Sequence, residues 1–190
     1  MYRDDNNIPP HEMKQRRRGI YILPSLLTTA SLFAGFYAIV QAMNGNFELA
    51  PPAIFIAMVL DTLDGRVARL THTESDFGSQ YDSLVDMVSF GLAPALIMYE
   101  WALSGMGKLG WLAAFVYAVG TGLRLARFNT QTANADKRFF KGLPSPAAAA
   151  LVTGFIWVLH SIGIPGRDIS IFAMLVTVAA GVLMVSNIRY

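Results

Sequence analysis

The sequence contains no cysteine, and this absence removes two kinds of site. Without thiols the chain forms no disulfide and holds no metal through sulfur ligands. Charged residues are also scarce, at 15% of the chain, whereas 54% of its 190 residues are hydrophobic. An ordinary soluble domain carries about 25% charged residues. The composition therefore argues against a soluble domain and indicates a membrane protein.

Long apolar runs divide the chain into six candidate membrane spans. Each is close to the ~20 residues that a helix needs to cross a bilayer. We predict spans at about residues 20–43, 52–70, 80–103, 109–128, 144–163 and 168–187. Because few residues remain outside them, we expect an all-α integral membrane protein. Residues 1–18 are assigned to a basic cytosolic juxtamembrane segment, and residues 19–190 to a six-helix transmembrane domain.

Positive charges are distributed unevenly between the two ends of these spans. With a cytosolic N-terminus, only Lys108 and Arg167 of the fifteen Lys and Arg residues fall on the outer side, which leaves thirteen inside. Such an excess is typical of cytoplasmic loops. It predicts a multi-pass protein with its N-terminus in the cytosol. The basic run at residues 14–18 either anchors the first span by charge or forms a short interfacial helix on anionic headgroups.

Four aspartates interrupt the apolar pattern between the second and third spans. Asp61 and Asp64 are three residues apart, so they share a helix face. Asp82 and Asp86 are four apart and share a face of the next helix. A turn at residues 70–77 would fold the two helices together and gather the four carboxylates. Clustered negative charge at a membrane is costly unless cations neutralise it, so the pattern predicts two hard divalent ions, Mg²⁺ or Mn²⁺.

Two glycines accompany these aspartates. Gly65 directly follows Asp64, and Gly78 lies four residues before Asp82 on the same helix face. Glycine at both positions suggests that a bulky ligand approaches the backbone, although helix packing alone also explains either one. Arg69 is placed to pair with an aspartate or a phosphate. Because two divalent ions ~3.5–4 Å apart clamp phosphate oxygens during in-line displacement, the cluster indicates phosphoryl chemistry.

The aspartates and their neighbours form one extended pattern. It reads Asp61-x2-Asp64-Gly65-x2-Ala68-Arg69-x8-Gly78-x3-Asp82-x3-Asp86. This pattern resembles the signature of the CDP-alcohol phosphotransferase family at all eight positions. Members of that family move a phosphoryl-linked group from a CDP-linked donor to an alcohol and release CMP. The resemblance implies six transmembrane helices, an N-terminal interfacial helix and a homodimer.

The resemblance also implies a role for each position of the signature. Asp61, Asp64 and Asp82 would be metal ligands. Asp86 would share a metal ion and act as the general base that takes the proton from the acceptor hydroxyl. The residues that would shape or support the nucleotide pocket are Gly65, Ala68, Arg69 and Gly78.

Segments beyond the signature narrow the resemblance. Three further segments are similar to a membrane-integral bacterial branch of the family, in which CDP-diacylglycerol is the donor and L-serine the acceptor. These segments are SDFGSQYDSLVDMVSFGLAPA, LRLARFN and KGLPSPAAAA. This implies an inner-membrane enzyme with a cytosolic active site. We expect Arg124 or Arg127, and also Asn129, to hold the serine carboxylate or a phosphate, although topogenic charge and snorkelling also explain the arginines. Ser25 departs from the family, whose members carry asparagine there in an LPNLLT motif, and this weakens a diphosphate contact at position 25.

Two other functions remain open at this stage. The first is the same chemistry with glycerol 3-phosphate, inositol phosphate or a second phospholipid as acceptor, since the segment from Arg124 to Lys141 is basic. The second is a divalent-cation transporter that uses intramembrane carboxylates. Against the transporter, all four aspartates lie near one surface, and the outer half of the bundle offers no matching polar residues. Metal-dependent CMP release would distinguish the enzyme from the transporter.

Overall fold

The chain is built from helices throughout the part that the structure describes. The computed structural model describes residues 10–71, 73, 75–131 and 142–186. Within these ranges the long helices are α1 Pro10–Met43, α2 Ala50–Leu70, α3 Asp76–Met106, α4 Lys108–Gln131, α5 Ser145–Ser161 and α6 Ser170–Val185. The all-α prediction is confirmed.

Among the residues that the structure describes, four helical segments are long and apolar enough to cross a membrane. They are Pro24–Met43, Asp76–Met106, Lys108–Thr130 and Gly166–Val185. They correspond to the first, third, fourth and sixth predicted spans. α2 carries four charged residues near its C-terminal end and α5 has only 17 residues, so neither meets the same criterion. The protein is an all-helical membrane protein, and the count of six spans stays a prediction.

The N-terminal part of the chain continues directly into the first span. α1 runs from Pro10 to Met43 with Pro24 inside it, so residues 10–23 belong to the same helix as the span. The interfacial helix therefore stays a prediction. Residues 1–9 and the basic segment at residues 132–141 lie outside the described residues.

α3 changes its helical geometry along its length. It is α-helical over Asp76–Asp86 and widens into π turns at Met87–Leu92 and Tyr99–Leu103. A 3₁₀ turn at Ser104–Met106 ends it. A π turn shifts the angular position of the side chains that follow, and such turns are frequent at functional sites. The first one begins directly after Asp86. The aspartates therefore lie in the regular α-helical part of α3, and the side chains of its apolar part point in directions shifted by the π turn.

Small residues allow the helices to approach closely. The Ser31 hydroxyl on α1 donates a hydrogen bond to the Ala57 carbonyl on α2 (3.0 Å). A Cβ added to Gly35 would collide with Ser89 of α3. Alanines buried along α1 and α2 include Ala34, Ala38, Ala42, Ala50, Ala53 and Ala57. α1 therefore packs against both helices that carry the aspartates.

A short turn reverses the chain between α2 and α3. α2 ends at Leu70, and α3 begins at Asp76. Ser75 caps the start of α3, because its hydroxyl accepts a hydrogen bond from the Gly78 amide (3.0 Å). The predicted turn at residues 70–77 is confirmed. As a result, the C-terminal end of α2 lies beside the beginning of α3.

Candidate functional site

Three carboxyl groups meet where α2 and α3 lie side by side. Asp61 and Asp64 project from α2, and Asp82 projects from α3. One oxygen of each carboxyl group lies within 4.8 Å of one oxygen of each of the others. Asp64 is 5% exposed, whereas Asp61 and Asp82 are half-buried. The predicted approach of the two helices thus brings these three side chains to one point.

Asp86 joins this carboxylate cluster from one side. It lies one helical turn after Asp82 on α3, and its carboxyl group is close enough to that of Asp61 for the two groups to interact. Asp86 therefore lies beside the group formed by Asp61, Asp64 and Asp82.

Several oxygens of the cluster are buried without a partner. Asp64 Oδ2, Asp82 Oδ1 and Asp86 Oδ1 accept no hydrogen bond from the residues that the structure describes. A buried carboxylate oxygen without a partner is costly. Hard divalent cations such as Mg²⁺ and Mn²⁺ bind oxygen ligands of this kind. The residues present therefore fit a divalent metal, and they do not select between these two ions.

Open space adjoins the cluster at Gly65. A Cβ added there would meet no described atom within 4 Å, and one added to Gly78 would meet only a serine hydroxyl, at 3.1 Å. The exposed Arg69 side chain folds back along α2, and its Nε donates to the Gly65 carbonyl (2.9 Å). Ala68 is half-buried on the same helix. Gly65 and Arg69 thus border a surface that a ligand can reach from beside Asp64.

α1 covers another side of the cluster. The Thr28 hydroxyl lies near the Asp64 carboxyl group and donates to the Pro24 carbonyl of its own helix (3.0 Å). Thr29 and Tyr81 share a hydrogen bond (3.0 Å). Ser25 is half-buried one helical turn earlier on α1. The sequence analysis did not identify Thr28 as a site residue. The run of hydroxyl residues on α1 was the available signal, but spacing alone does not tell which hydroxyl faces α2.

The two arginines of α4 have different surroundings. Arg124 lies close enough to Asp86 for their charges to interact, and its Nη1 donates to the Ser145 hydroxyl (3.0 Å). Arg127 Nη1 instead donates to the Val185 carbonyl at the end of α6 (3.4 Å). Arg124 therefore belongs to the surroundings of the carboxylate cluster, whereas Arg127 links α4 to α6.

Asn129 connects α4 to the helix of the aspartates. Its Nδ2 donates to the Ser83 hydroxyl (3.1 Å), and Ser83 lies between Asp82 and Asp86 on α3. The contact joins the C-terminal end of α4 to the part of α3 that presents the two carboxyl groups. Asn129 thus lies near the site and contacts the element that carries it.

Comparison with known proteins gives the same family as the signature. The family model for CDP-alcohol phosphatidyltransferases matches residues 21–185. The CDP-diacylglycerol–serine O-phosphatidyltransferase of Helicobacter pylori is 40% identical over 172 residues, which cover 90% of this chain and 72% of the relative.

Proteins of the same name from two other organisms are also similar. The Mycobacterium tuberculosis protein is 43% identical over 148 residues, covering 74% of this chain and 51% of the relative. The Methanocaldococcus jannaschii protein is 36% identical over 173 residues, covering 91% and 75%. The matched family region contains the complete carboxylate cluster with Arg124 and Ser145. The family prediction is confirmed: this chain belongs to the CDP-alcohol phosphatidyltransferase family.

Proposed function

We propose that this protein transfers the phosphatidyl group of CDP-diacylglycerol to the hydroxyl of L-serine and releases CMP. The observation that carries the proposal is the group of three carboxylates, Asp61, Asp64 and Asp82, within 4.8 Å of one another beside Asp86. The names of the similar proteins support the choice of donor and acceptor.

The carboxylate cluster is the proposed binding site for two divalent ions, Mg²⁺ or Mn²⁺. Asp61, Asp64 and Asp82 would hold them, with Asp86 contributing a further oxygen. The unpartnered oxygens of Asp64, Asp82 and Asp86 support this assignment, because ligation satisfies them. Bound ions would neutralise the diphosphate of the donor and the charge that develops on the leaving CMP.

Asp86 is the proposed general base. Its carboxylate takes the proton of the serine hydroxyl while the hydroxyl oxygen forms a bond to the lipid-side phosphorus and the bond from that phosphorus to CMP breaks. Its position at the side of the cluster, near Arg124, supports this role. An acceptor held between Asp86 and Arg124 has its hydroxyl beside the base.

The remaining signature residues are proposed to bind the nucleotide. Gly65 leaves open space next to Asp64, and Arg69 borders that space with a positive charge. Gly78 and Ala68 keep the two helix surfaces free of large side chains. The CDP group of the donor would enter here, because a nucleotide diphosphate needs both room at the backbone and positive charge.

Arg124 is the proposed acceptor contact. A guanidinium binds a carboxylate through two parallel hydrogen bonds, and the buried Nε of Arg124 has no partner among the described residues. We assign the acceptor role to Arg124 rather than Arg127, since Arg124 lies near Asp86 whereas Arg127 donates to Val185 at the end of α6. A phosphorylated acceptor is the alternative ligand for the same charge, and the acceptor panel described below distinguishes the two.

The proposed arrangement in the membrane has six spans, with the carboxylate cluster at the cytosolic side of the bacterial inner membrane. The excess of Lys and Arg on that side supports it. α2 is apolar at its N-terminal end and ionic at its C-terminal end, as expected of a helix that lines a cavity open to the cytosol. The N-terminal interfacial helix and the homodimer are part of the proposal through the family resemblance alone.

An acceptor panel tests the proposed function. Purified protein in detergent is incubated with CDP-diacylglycerol and Mn²⁺ or Mg²⁺, and CMP release is measured with L-serine, glycerol 3-phosphate or inositol phosphate. We expect release with L-serine. Release only with a phosphorylated alcohol would overturn the acceptor and keep the family chemistry. An absence of release with every acceptor and both metals would contradict the enzymatic proposal and favour the transporter.

A further inference from the structure

Ser145 contacts the site although it lies outside the family signature. It is the first residue of α5 and is 1% exposed. A serine at a helix start usually caps the helix with its hydroxyl. Here the N-cap residue is Pro144, and no side chain among the described residues caps α5. The Ser145 hydroxyl instead accepts a hydrogen bond from Arg124 Nη1 (3.0 Å). The contact of the Ser145 hydroxyl is therefore with Arg124 and not with the start of the helix.

The contact with Ser145 fixes one end of the Arg124 guanidinium. The Nε atom is buried and donates to none of the residues that the structure describes. A buried donor without a partner costs free energy. Nε and a terminal nitrogen form an edge that binds a carboxylate through two hydrogen bonds. Because Asp86 lies near the same guanidinium, an acceptor bound at that edge would be close to the proposed base.

The position of Ser145 is itself fixed by the end of α6. The Leu143 amide donates to the Leu183 carbonyl (3.1 Å). Gly142 adopts φ +82°, and a Cβ added there would lie 2.5 Å from the Met184 carbonyl oxygen. These contacts hold the chain just before α5 against α6. The Ser145 hydroxyl is thus presented from a fixed backbone, which is what precise orientation of a binding group needs.

We propose that Ser145 is a positioning residue for acceptor selection: its hydroxyl holds the Arg124 guanidinium in the orientation that receives the carboxylate of an amino-acid acceptor. The inference rests on the proposed function and adds to it the residue that favours L-serine over a hydroxyl compound without a carboxylate. Ser145 acts through Arg124 and does not touch the reacting atoms.

A Ser145→Ala variant tests this role with two compounds. Ethanolamine is L-serine without its carboxylate, and its binding is measured as an acceptor or, where no product forms, as a competitor of L-serine. We expect the variant to raise the KM for L-serine about tenfold, the effect of a ~1.4 kcal/mol loss. Its KM for CDP-diacylglycerol and its affinity for ethanolamine should stay within about twofold, since neither involves the acceptor carboxylate.

The matched control is Thr153→Val on the same helix. Thr153 is buried like Ser145, but its hydroxyl donates to the Ala149 carbonyl within α5 (2.7 Å). Its replacement removes a buried hydroxyl far along the helix from Arg124. We expect it to leave the ratio of L-serine to ethanolamine affinity unchanged, so a change of that ratio in Ser145→Ala reports on the carboxylate contact.

Two results would overturn the inference. One is an unchanged KM for L-serine in Ser145→Ala. The other is an equal loss for L-serine, ethanolamine and CDP-diacylglycerol, which indicates a purely structural serine. Failure of the proposed function is recognised separately, because the unmodified protein would then release no CMP in response to L-serine.

Discussion

At the scale of single residues, the four aspartates concentrate negative charge at one place beside α2 and α3. Three of their oxygens are buried without a partner among the described residues, and three carboxyl groups lie within 4.8 Å. Like charges at this distance repel, and burial strengthens the repulsion. Cations relieve it, so the stability of the metal-free protein and its metal dependence are linked through the same side chains.

Asp64→Asn tests this link. The substitution keeps the shape of the side chain and removes one negative charge, so we expect the metal-free variant to unfold at the same or a higher temperature than the unmodified protein. We also expect it to lose the stabilisation by Mn²⁺ or Mg²⁺, which is about 2.7 kcal/mol at a hundred times Kd for one site. Thermal unfolding in detergent, with EDTA and then with metal, measures both effects.

Asp168→Asn is the matched control for that experiment. Asp168 is exposed in the short turn before α6, far along the chain from the carboxylate cluster. It should leave the stabilisation by metal unchanged. A full metal response in Asp64→Asn would contradict the assignment of Asp64 as a ligand.

Arg124 and Arg127 give a second residue-scale prediction. We expect Arg124→Gln to raise the KM for L-serine by about tenfold or more, because it removes a charged partner of the carboxylate. Arg127→Gln should lower the unfolding temperature and leave that KM within about twofold, since Arg127 donates to Val185 at the end of α6. Steady-state kinetics and thermal unfolding of both variants provide the measurement. A raised KM for L-serine in Arg127→Gln alone would contradict this assignment and make Arg127 the acceptor contact.

Some residues of the site could be predicted from the sequence, and others could not. The four aspartates were predicted to meet because Asp61 and Asp64, like Asp82 and Asp86, follow helical spacing on either side of one turn. Asp61, Asp64 and Asp82 lie within 4.8 Å of one another, with Asp86 beside them. Thr28 and Ser145 were not identified, because they reach the site from α1 and α5 and no local spacing connects them with the aspartates. Contacts between distant segments depend on how the helices pack, which a single sequence does not specify.

At the scale of helices, the bounds of two of the six predicted segments agree closely with the structure. The predicted span at residues 52–70 is the helix Ala50–Leu70, and that at residues 144–163 is Ser145–Ser161. The third span was predicted to begin at residue 80, but α3 begins at Asp76 because Ser75 caps it there. The π turns were not predicted, because they are a change of backbone hydrogen bonding that leaves no mark on hydropathy.

Close contact between α4 and α6 gives an element-scale prediction. A Cβ on Gly120 would collide with the backbone of Gly181, whereas one on Gly122 would be 3.6 Å from Met87 Sδ, an ordinary contact. We expect Gly120→Ala to lower the free energy of unfolding by about 1–3 kcal/mol through overpacking. Gly122→Ala, on the same helix, should be neutral or slightly stabilising because alanine favours helix. Thermal unfolding that ranks the two variants equally would contradict the observed approach of the helices.

At the scale of the whole molecule, composition was enough to predict an all-helical membrane protein. The signature residues were enough to predict the family. The orientation of the protein in the membrane is a separate question, since it depends on the charges of the short segments between helices. The absence of cysteine makes it accessible to experiment, because an introduced cysteine is the single thiol of the chain.

Single-cysteine variants test the proposed orientation. Lys108 and Thr130 are exposed near opposite ends of α4. We expect a membrane-impermeant maleimide to label Lys108→Cys in cells whose outer membrane alone is permeabilised, and Thr130→Cys only after the inner membrane is opened. The excess of positive charge on the Thr130 side is the reason. Labelling of Thr130→Cys with the inner membrane intact would contradict a cytosolic active site.

The most direct test of the central claim is CMP release by the purified protein and by Asp86→Asn, measured with CDP-diacylglycerol, L-serine and Mn²⁺ or Mg²⁺. The unmodified protein should release CMP only when L-serine and a divalent ion are both present, and EDTA should stop it. Asp86→Asn should remain folded and lose activity by a factor of about 10²–10⁴, the usual contribution of a general base. Release by Asp86→Asn at the unmodified rate, or release in EDTA, would contradict metal-dependent transfer at the carboxylate cluster.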